Sequence, residues 1–492
     1  MKKKIIFWLA ADLTYFGLAK FIHDKYDSDI FAIIDVTQKP KKFFQEQDIV
    51  KFSKIWFFHD HIVKNHQPDL QYLSSFEKKY PINLWLLAHN ERIFYRFNQF
   101  HSFTNKEILS ILEQECKLFE KILDETKPDF LIMYMPTIHH NQLFYEICKA
   151  RGVKLLILRS TPFGYRYMIS QEMEKIPHSE KNVIAKDRTT EELFRYLKGY
   201  DSFKQGTEFL SEFQNSKFEY IKAIMKFLFT SNKNEKSHYT YYGRTKMNVF
   251  VKMLSYTLKM KYREYFMKKN LLSQVKDEAP FVYFPLHIEQ ERVLLIGAPF
   301  YTNQIEIIRH VAKSLPIGFK LYVKEHPVMS TRGWRPTSDY KEIMRIPNVE
   351  LIHPSVSSED ILKKCSMVVT INGTSSLEAA FYKKPSIMFG DTDFSHYNFI
   401  ERVKIIEDLP RIIHKSLQKE VDIKSLNEYV DLVDSSSFEF DLSGFSNKVL
   451  NQFYFGGFLV DTEISTRLVK KFIENNSSSF NKLADEFVKH LH

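Results

Sequence analysis

Apolar and polar positions fall into two blocks of the same rhythm, separated by a stretch with a different one. Over residues 1–165, short apolar runs alternate with amphipathic segments. Lys4–Ala10 reads as a buried strand, followed by a loop Ala11–Phe16 and a helix around Gly17–Lys25. Ile30–Val36, Lys54–Phe58, Asn83–Leu87, Asp129–Tyr134 and Val153–Leu158 read as further strands. Amphipathic helices are expected at about Lys106–Thr126 and Asn141–Arg151. Strands that are apolar throughout, joined by helices, predict a parallel sheet covered on both faces.

Over residues 170–275 the strand signals vanish and charged helical patterns take over, with loops such as Ser231–His238. From Pro280 the alternation returns. Phe281–Pro285, Phe319–Val323, Val349–Ile352, Met367–Ile371 and Ser386–Phe389 read as strands. Asn303–Ser314, Ser358–Cys365 and Ser376–Lys383 read as helices between them, and the tail from about 416 is mostly helical. The pattern gives four regions: an N-terminal α/β domain (1–170), a helical basic insertion (171–278), a second α/β domain (279–415) and C-terminal helices (416–492). No internal repeat stands out.

Composition changes this picture in three places. Net charge is +10, and residues 217–269 alone carry thirteen Lys or Arg against three Glu. A local basic patch, with the remainder near neutral, points to an anionic surface met by one region. That region alternates apolar residues at helical spacing with Lys and aromatics, as in Phe218–Leu228 and Asn248–Lys261. Peripheral docking on anionic lipid and a packed insertion with a solvated Lys face both fit it. The three cysteines, Cys116, Cys148 and Cys365, are far apart and form no CxxC, which argues against a disulfide framework or zinc ribbon and suits a reducing cytosol. Met1–Ala11 imitates a secretion signal, but Asp12 cuts its short apolar run, so a first buried strand is expected. No run of 18 apolar residues occurs, so no membrane span is expected.

Chemistry concentrates in the second α/β block. One strand runs into Lys324-Glu325-His326-Pro327. A later strand ends in Asn372-Gly373-Thr374-Ser375-Ser376, and Leu377-Glu378 opens a helix. Backbone N–H groups at a helix start, hydroxyl donors, a glycine that admits close approach, and Lys and His from a neighbouring strand end make a phosphate site. A plain helix cap, with Glu378 completing a capping box, uses the same donors and does not exclude a ligand. Both loops leave the carboxyl ends of strands, where open α/β sheets bind ligands. Two Rossmann-like halves joined by a helical region describe the GT-B architecture of nucleotide-sugar glycosyltransferases, with the active site in the cleft between them.

Tyr283-Phe284-Pro285-Leu286-His287, Lys320–Pro327, Pro354-Ser355 and Asn372–Glu378 together resemble the capsule polysaccharide biosynthesis proteins, GT-B enzymes akin to the Kdo transferases of capsule assembly. The resemblance covers about residues 280–400. A related His-Pro motif followed by a Ser/Thr-rich turn marks CMP-sialic-acid transferases and CDP-glycerol polymerases. In those enzymes the histidine and the turn bind the nucleotide phosphate. The resemblance therefore implies phosphate contacts at His326, Thr374, Ser375 and Ser376. Lys324, Asn372, Gly373 and His287 are expected to join them in the nucleotide-sugar site, with Glu378 capping the helix or accepting from a ribose hydroxyl. One departure touches the sugar end: members often read Leu-His-Tyr-Gln-Pro-Glu where this chain has Leu286-His287-Ile288-Glu289-Gln290-Glu291.

A base or nucleophile is expected from the N-terminal block, at loops following its strands. Glu91, Asp12 and His139 are the candidates, with Arg92 and His140 beside them. Arg159 and Arg166 are candidates for binding an acidic acceptor or donor. Asp391-Thr392-Asp393 has the form of a metal-binding DxD motif but reads as a polar loop, so no metal ligand is assigned and no cofactor is required. The expectation is a cytoplasmic glycosyltransferase of cell-surface polysaccharide synthesis, peripheral on the inner membrane face. It takes a CMP-sugar, with UDP or CDP as alternatives, and a glycan or lipid-linked acceptor. A GT-B nucleotide-sugar 2-epimerase and a non-catalytic assembly or export partner are the rivals. No RNA or DNA motif supports a nucleic-acid binder.

Overall fold

The computed structural model describes residues 2–177, 186–199, 217–230, 233–275, 279–329 and 335–492. Parts of the helical insertion and its Ser231–His238 loop (178–185, 200–216, 231–232 and 276–278) therefore lie outside the described residues.

The first sheet has seven strands. These are β1 (Lys3–Ala10), β2 (Ser28–Asp35), β3 (Lys54–Phe57), β4 (Phe130–Tyr134), β5 (Lys154–Ser160), β6 (Arg166–Ser170) and, from the tail, the short Phe438–Glu439. Their spatial order is Phe438–Glu439, β6, β5, β4, β1, β2, β3. β1 pairs parallel with β2 over its whole length, Lys3 opposite Ser28 through Ala10 opposite Asp35. Ile5, Ile6, Phe7, Trp8 and Leu9 are all fully buried, as expected of a central strand apolar on both faces. Within the segment that imitates a secretion signal, Lys3–Ala10 is thus a core strand. β6 turns back antiparallel on β5, and Phe438–Glu439 adds antiparallel to β6.

The second sheet has six parallel strands. They are β7 (Phe281–Pro285), β8 (Lys320–Lys324), β9 (Val349–Ile352), β10 (Met367–Thr370), β11 (Ser386–Met388) and β12 (Ile400–Arg402). Their order is β12, β11, β10, β7, β8, β9.

The chain forms two compact units, each interrupted in sequence. One comprises Met1–Glu172, Tyr200–Val249 and Ser437–His492; the other Met173–Gly199 and Phe250–Ser436. The insertion is therefore shared out instead of standing alone, and the tail beyond Ser437 belongs with the first sheet. Apolar spacing explains the latter. Phe445, Phe453, Phe472, Phe480 and Phe487 enter the same core as Phe16 and Phe21. Phe480 stacks on Phe21 at 5.5 Å, and a Cβ at Gly17 would lie 2.2 Å from the Phe480 ring.

One expected strand is a helix. Leu84–His89 is helical because Asn83 caps it, its side chain accepting from the Leu86 N–H at 2.8 Å, while Glu77 accepts from the Leu84 N–H at 2.8 Å. β6, β12 and the Phe438–Glu439 strand were not anticipated.

Candidate functional site

Each sheet has one place where strand order reverses, and the singled-out residues collect there. In the second sheet the chain steps from β7 to β8 and β9 on one side, then crosses to β10 on the other. Such a reversal opens a crevice at the carboxyl ends of the two diverging strands. His287 follows β7 and Asn372 follows β10. The Asn372 backbone N–H donates to His287 Nε2 at 3.3 Å, and Thr370 Oγ1 lies 3.4 Å from the same nitrogen. Gly373 is there of necessity: a Cβ would stand 2.9 Å from Thr370 Oγ1 and 3.0 Å from His287 Nε2. Asn372 is gripped equally tightly, since a Cβ on Gly297 or Gly390 would approach its side chain to 2.6 or 2.8 Å. Its Nδ2 donates to the Val293 carbonyl at 3.2 Å. His287 Nδ1 and Asn372 Oδ1 are buried without a partner in good hydrogen-bond geometry. Burial, then the neighbouring charges of His326 and Arg335, push the His287 imidazole down to about 3, so it stands here as a neutral ring.

The Lys-Glu-His-Pro segment reaches this crevice from β8. Glu325 is fully buried and anchors the segment: it accepts from Arg335 Nε at 2.7 Å, from Tyr340 Oη at 2.6 Å and from the His326 N–H at 2.8 Å. Arg335, also fully buried, donates to Glu289 Oε1 at 2.8 Å and to the His287 carbonyl at 3.2 Å. One guanidinium thus ties the loops after β7 and β8 together from below. His326 is half-buried, and its Nδ1 accepts from the Val328 N–H at 3.3 Å. Lys324 is buried, and its Nζ donates to Ser358 Oγ at 2.7 Å. Burial pulls its ammonium down to about 8, against the attraction of Glu378.

After β10 the turn divides its hydroxyls. Thr374 is exposed and Ser375 half-buried, whereas Ser376 is buried and donates to the Gly373 carbonyl at 2.9 Å. The helix begins at Ser375 without a side-chain cap, and Thr374 Oγ1 donates to Glu378 Oε1 at 3.1 Å, so the expected capping box is absent. Asp391 pairs with Arg402, and Tyr429 Oη donates to Asp393 at 3.5 Å, which occupies the DxD-like loop.

The first sheet reverses between β1 and β4. Asp12, just past β1, is half-buried and accepts from the Thr14 N–H at 3.0 Å. Burial raises its carboxyl above the ordinary range despite that bond. Past β4 the polar groups are buried. Glu91 Oε2 accepts from the His139 backbone N–H at 2.8 Å and from His139 Nδ1 at 2.9 Å. His139 Nε2 lies 3.1 Å from both oxygens of Glu115. Burial opposes charge on His139, but Glu115 and Glu91 outweigh it and lift the imidazole to about 10; the same pairing holds Glu91 at about 2 against its own burial. His140 spans Asp35 and Tyr239, with Nε2 3.0 Å from Asp35 Oδ2 and Nδ1 2.9 Å from the Tyr239 hydroxyl. That hydroxyl donates to Glu115 Oε1 at 2.9 Å. Arg92 donates to the Thr137 carbonyl. Arg159 is buried, and Arg166 holds Ser437 with Nε 2.9 Å from its hydroxyl.

Glu115, Asp35, Tyr239, Glu289 and Arg335 were not singled out in the sequence. Glu115 left a trace: it falls on the apolar stripe Ile108, Ile111, Leu112, Phe119, Ile122, where a carboxylate is out of place.

Two Rossmann-like α/β units in one chain, each with a polar loop cluster at its strand reversal, are the make-up of the GT-B class. Residues 188–398 match the family model described as capsule polysaccharide biosynthesis protein, the family that the motifs of the second block resemble. The match takes in both Lys324–Pro327 and Asn372–Glu378. No curated protein matches the chain. Among solved structures, the beta Kdo 2,7 transferase KpsC of Thermosulfurimonas dismutans aligns at 12% identity and a TM-score of 0.33, over 73% of this chain and 89% of that one. The beta Kdo 2,4 transferase KpsC of the same organism aligns at 11% and 0.30, over 61% and 78%. The UDP-GlcNAc 2-epimerase of Methanocaldococcus jannaschii aligns at 13% and 0.24, over 88% and 100%.

Proposed function

We propose that this chain is a glycosyltransferase of capsular or cell-surface polysaccharide synthesis. The observation that supports it is the second strand reversal. There the loops after β7, β8 and β10, all within the family match, converge on His287 and leave His326, Thr374 and Ser375 at least partly open to solvent. The donor is a nucleotide sugar, CMP-linked by preference, with UDP or CDP as the alternatives. Its phosphate lies against His326, Thr374, Ser375 and the adjoining backbone N–H groups, with the Lys324 charge beneath. Stabilising the departing phosphate this way asks no metal of the transfer step. Ser376 and Glu325 act by holding the loops.

The first unit takes the glycan or lipid-linked acceptor. Asp12 is the carboxylate suited to accept the acceptor's hydroxyl proton, because it is partly exposed and its raised pKa makes it a better base. Glu91 and His139 are positioning residues that fix the turn after β4. Reaction with a cytoplasmic nucleotide sugar places the protein on the inner side of the membrane.

Isothermal titration calorimetry with CMP, CDP and UDP tests the reading. The wild-type chain is expected to bind one of them, and His326→Ala to bind at least tenfold more weakly with an unchanged melting temperature. Failure of the wild type to bind any of the three would sink the proposal. Sugar release without transfer would favour an epimerase instead.

We infer in addition that the basic helices dock on anionic lipid. Phe218, Ile221, Met225, Leu228 and Phe229 are exposed on the helix Lys217–Phe229, which also carries Lys222 and Lys226. On Lys246–Asn270, Met247, Phe250, Val251, Leu254 and Leu258 are exposed, and so are Lys252, Lys259, Lys261, Lys268 and Lys269. Solvent-facing apolar side chains in such number mark an interaction surface. Lysines among them contribute about 1 kcal/mol each near an anionic membrane. Among the described residues no helix is long and apolar enough to cross a membrane. Changing Lys252, Lys259, Lys261 and Lys268 to Gln is expected to lower pelleting with phosphatidylglycerol vesicles. Equal pelleting would reject the surface.

A further inference from the structure

We propose that Glu115, His139 and His140, together with the Tyr239 hydroxyl, form a closed site for a divalent transition-metal ion, zinc by its donor set. One ligand atom from each of Glu115, His139 and His140 lies within 4.8 Å of the others. Glu115 Oε1 is 3.1 Å from His139 Nε2 and 2.9 Å from the Tyr239 hydroxyl, which is 2.9 Å from His140 Nδ1. Tetrahedral zinc with bonds of ~2.0–2.1 Å sets its ligand atoms roughly 3.3 Å apart, a spacing that the contacting pairs already approach.

The outer contacts point the same way and are independent of the convergence. Each imidazole turns its other nitrogen to a carboxylate of its own: His139 Nδ1 to Glu91 at 2.9 Å, His140 Nε2 to Asp35 at 3.0 Å. Metal-bound histidines are oriented in this way, the outer carboxylate fixing the tautomer and strengthening the inner nitrogen as a donor. The chain provides the arrangement twice within one site. The ligands also sit on rigid elements, Glu115 on Asn105–Thr126 and the two histidines at the start of His139–Ala150. Glu115, His139, His140 and Tyr239 are each at most 3% exposed. Phe58 stacks on His140 at 4.5 Å and Phe94 lies 4.6 Å from His139, so the ligands are walled by aromatic rings. Three carboxylates, Glu91, Glu115 and Asp35, converge here with little or no contact with water, and a divalent cation bound at His139 Nε2 would replace the imidazolium proton in offsetting their charge. With four protein donors and no open position, the ion is structural, holding the insertion residue Tyr239 to the edge of the first sheet. This inference does not rest on the nucleotide reading, since its ligands all belong to the first unit and the nucleotide loops to the second.

The full-length chain, purified without a histidine tag, is to be incubated with zinc chloride, desalted and analysed by elemental mass spectrometry. Retention of about one zinc per chain is expected, together with a rise in melting temperature. His140→Ala and Tyr239→Phe are expected to retain less than a tenth and less than half as much. Asp35→Asn should weaken zinc affinity on the order of 10–100-fold through the outer contact. Cobalt substitution in the wild-type chain should give the visible absorption of a tetrahedral centre, a readout that needs no variant to fold. Loss of all zinc on desalting, equal retention by His140→Ala, or a cobalt spectrum of an octahedral aquo ion would each overturn the site.

Discussion

The two sheets reverse their strand order in the same manner, and the molecule finishes the two crevices in opposite ways. At the reversal of the first sheet the charged groups are taken up by one another. Glu91, His139, Glu115, Tyr239, His140 and Asp35 form one chain of contacts under aromatic rings, with Asp12 and Asp35 keeping partial exposure. At the second reversal the charged groups are satisfied from below, by Arg335, while the upper layer leaves Thr374 exposed and His326 and Ser375 half-buried. One topology therefore gives a braced framework in one unit and a receptive surface in the other.

The largest expected effect breaks the brace of the second crevice. Arg335→Ala leaves Glu325 and Glu289 buried without their cation, a loss of about 3–5 kcal/mol for a broken buried pair. Chemical denaturation should show it as an early transition. Unchanged stability would mean that the guanidinium does not hold these loops. Next comes the packing of the upper layer. Gly373→Ala drives a methyl group against His287 and Thr370 and should cost about 1–3 kcal/mol of stability, with several-fold weaker nucleotide binding in calorimetry. Equal affinity in that variant would separate the turn from the ligand.

The smallest effect is a titration. Lys324 gives up its proton at about 8 in the fold, against an ordinary 10.5. Below pH 8 it is a cation and favours phosphate, so nucleotide affinity should fall a few-fold between pH 7 and 9, and Lys324→Met should flatten that slope. Stability runs the other way. Between about 8 and 10.5 the unfolded chain binds more protons at this lysine, so this contribution to stability rises with pH across that window. A nucleotide affinity independent of pH would remove Lys324 from the site.

Much of this was legible in the chain, and the parts that were not share a cause. The strands Lys3–Ala10 and Phe281–Pro285 announce themselves because central parallel strands are apolar on both faces. The loops after β8 and β10 were legible because unusual residue types follow such strands. Asn83–Leu87 misled because its apolar run fits either a strand or a short helix, and the Asn83 cap decided it. Arg335 and Tyr239 carry no local signal. Their meaning depends on Glu325 and Glu289 in one case and on Glu115 and His140 in the other, partners that only the folded chain brings near. The tail was legible as helical, but its destination was not, since nothing in an amphipathic helix names the surface it will cover.

That destination bears on how the molecule is made. The second unit lies wholly within the span of the first, and the first needs Phe445, Phe472 and Phe480 to close its core around Phe16 and Phe21. On the ribosome, the first sheet must therefore wait, half clothed, until residues 437–492 have emerged, while the second sheet has every residue it requires before that. The N-terminal strands are the ones a chaperone would have to guard longest.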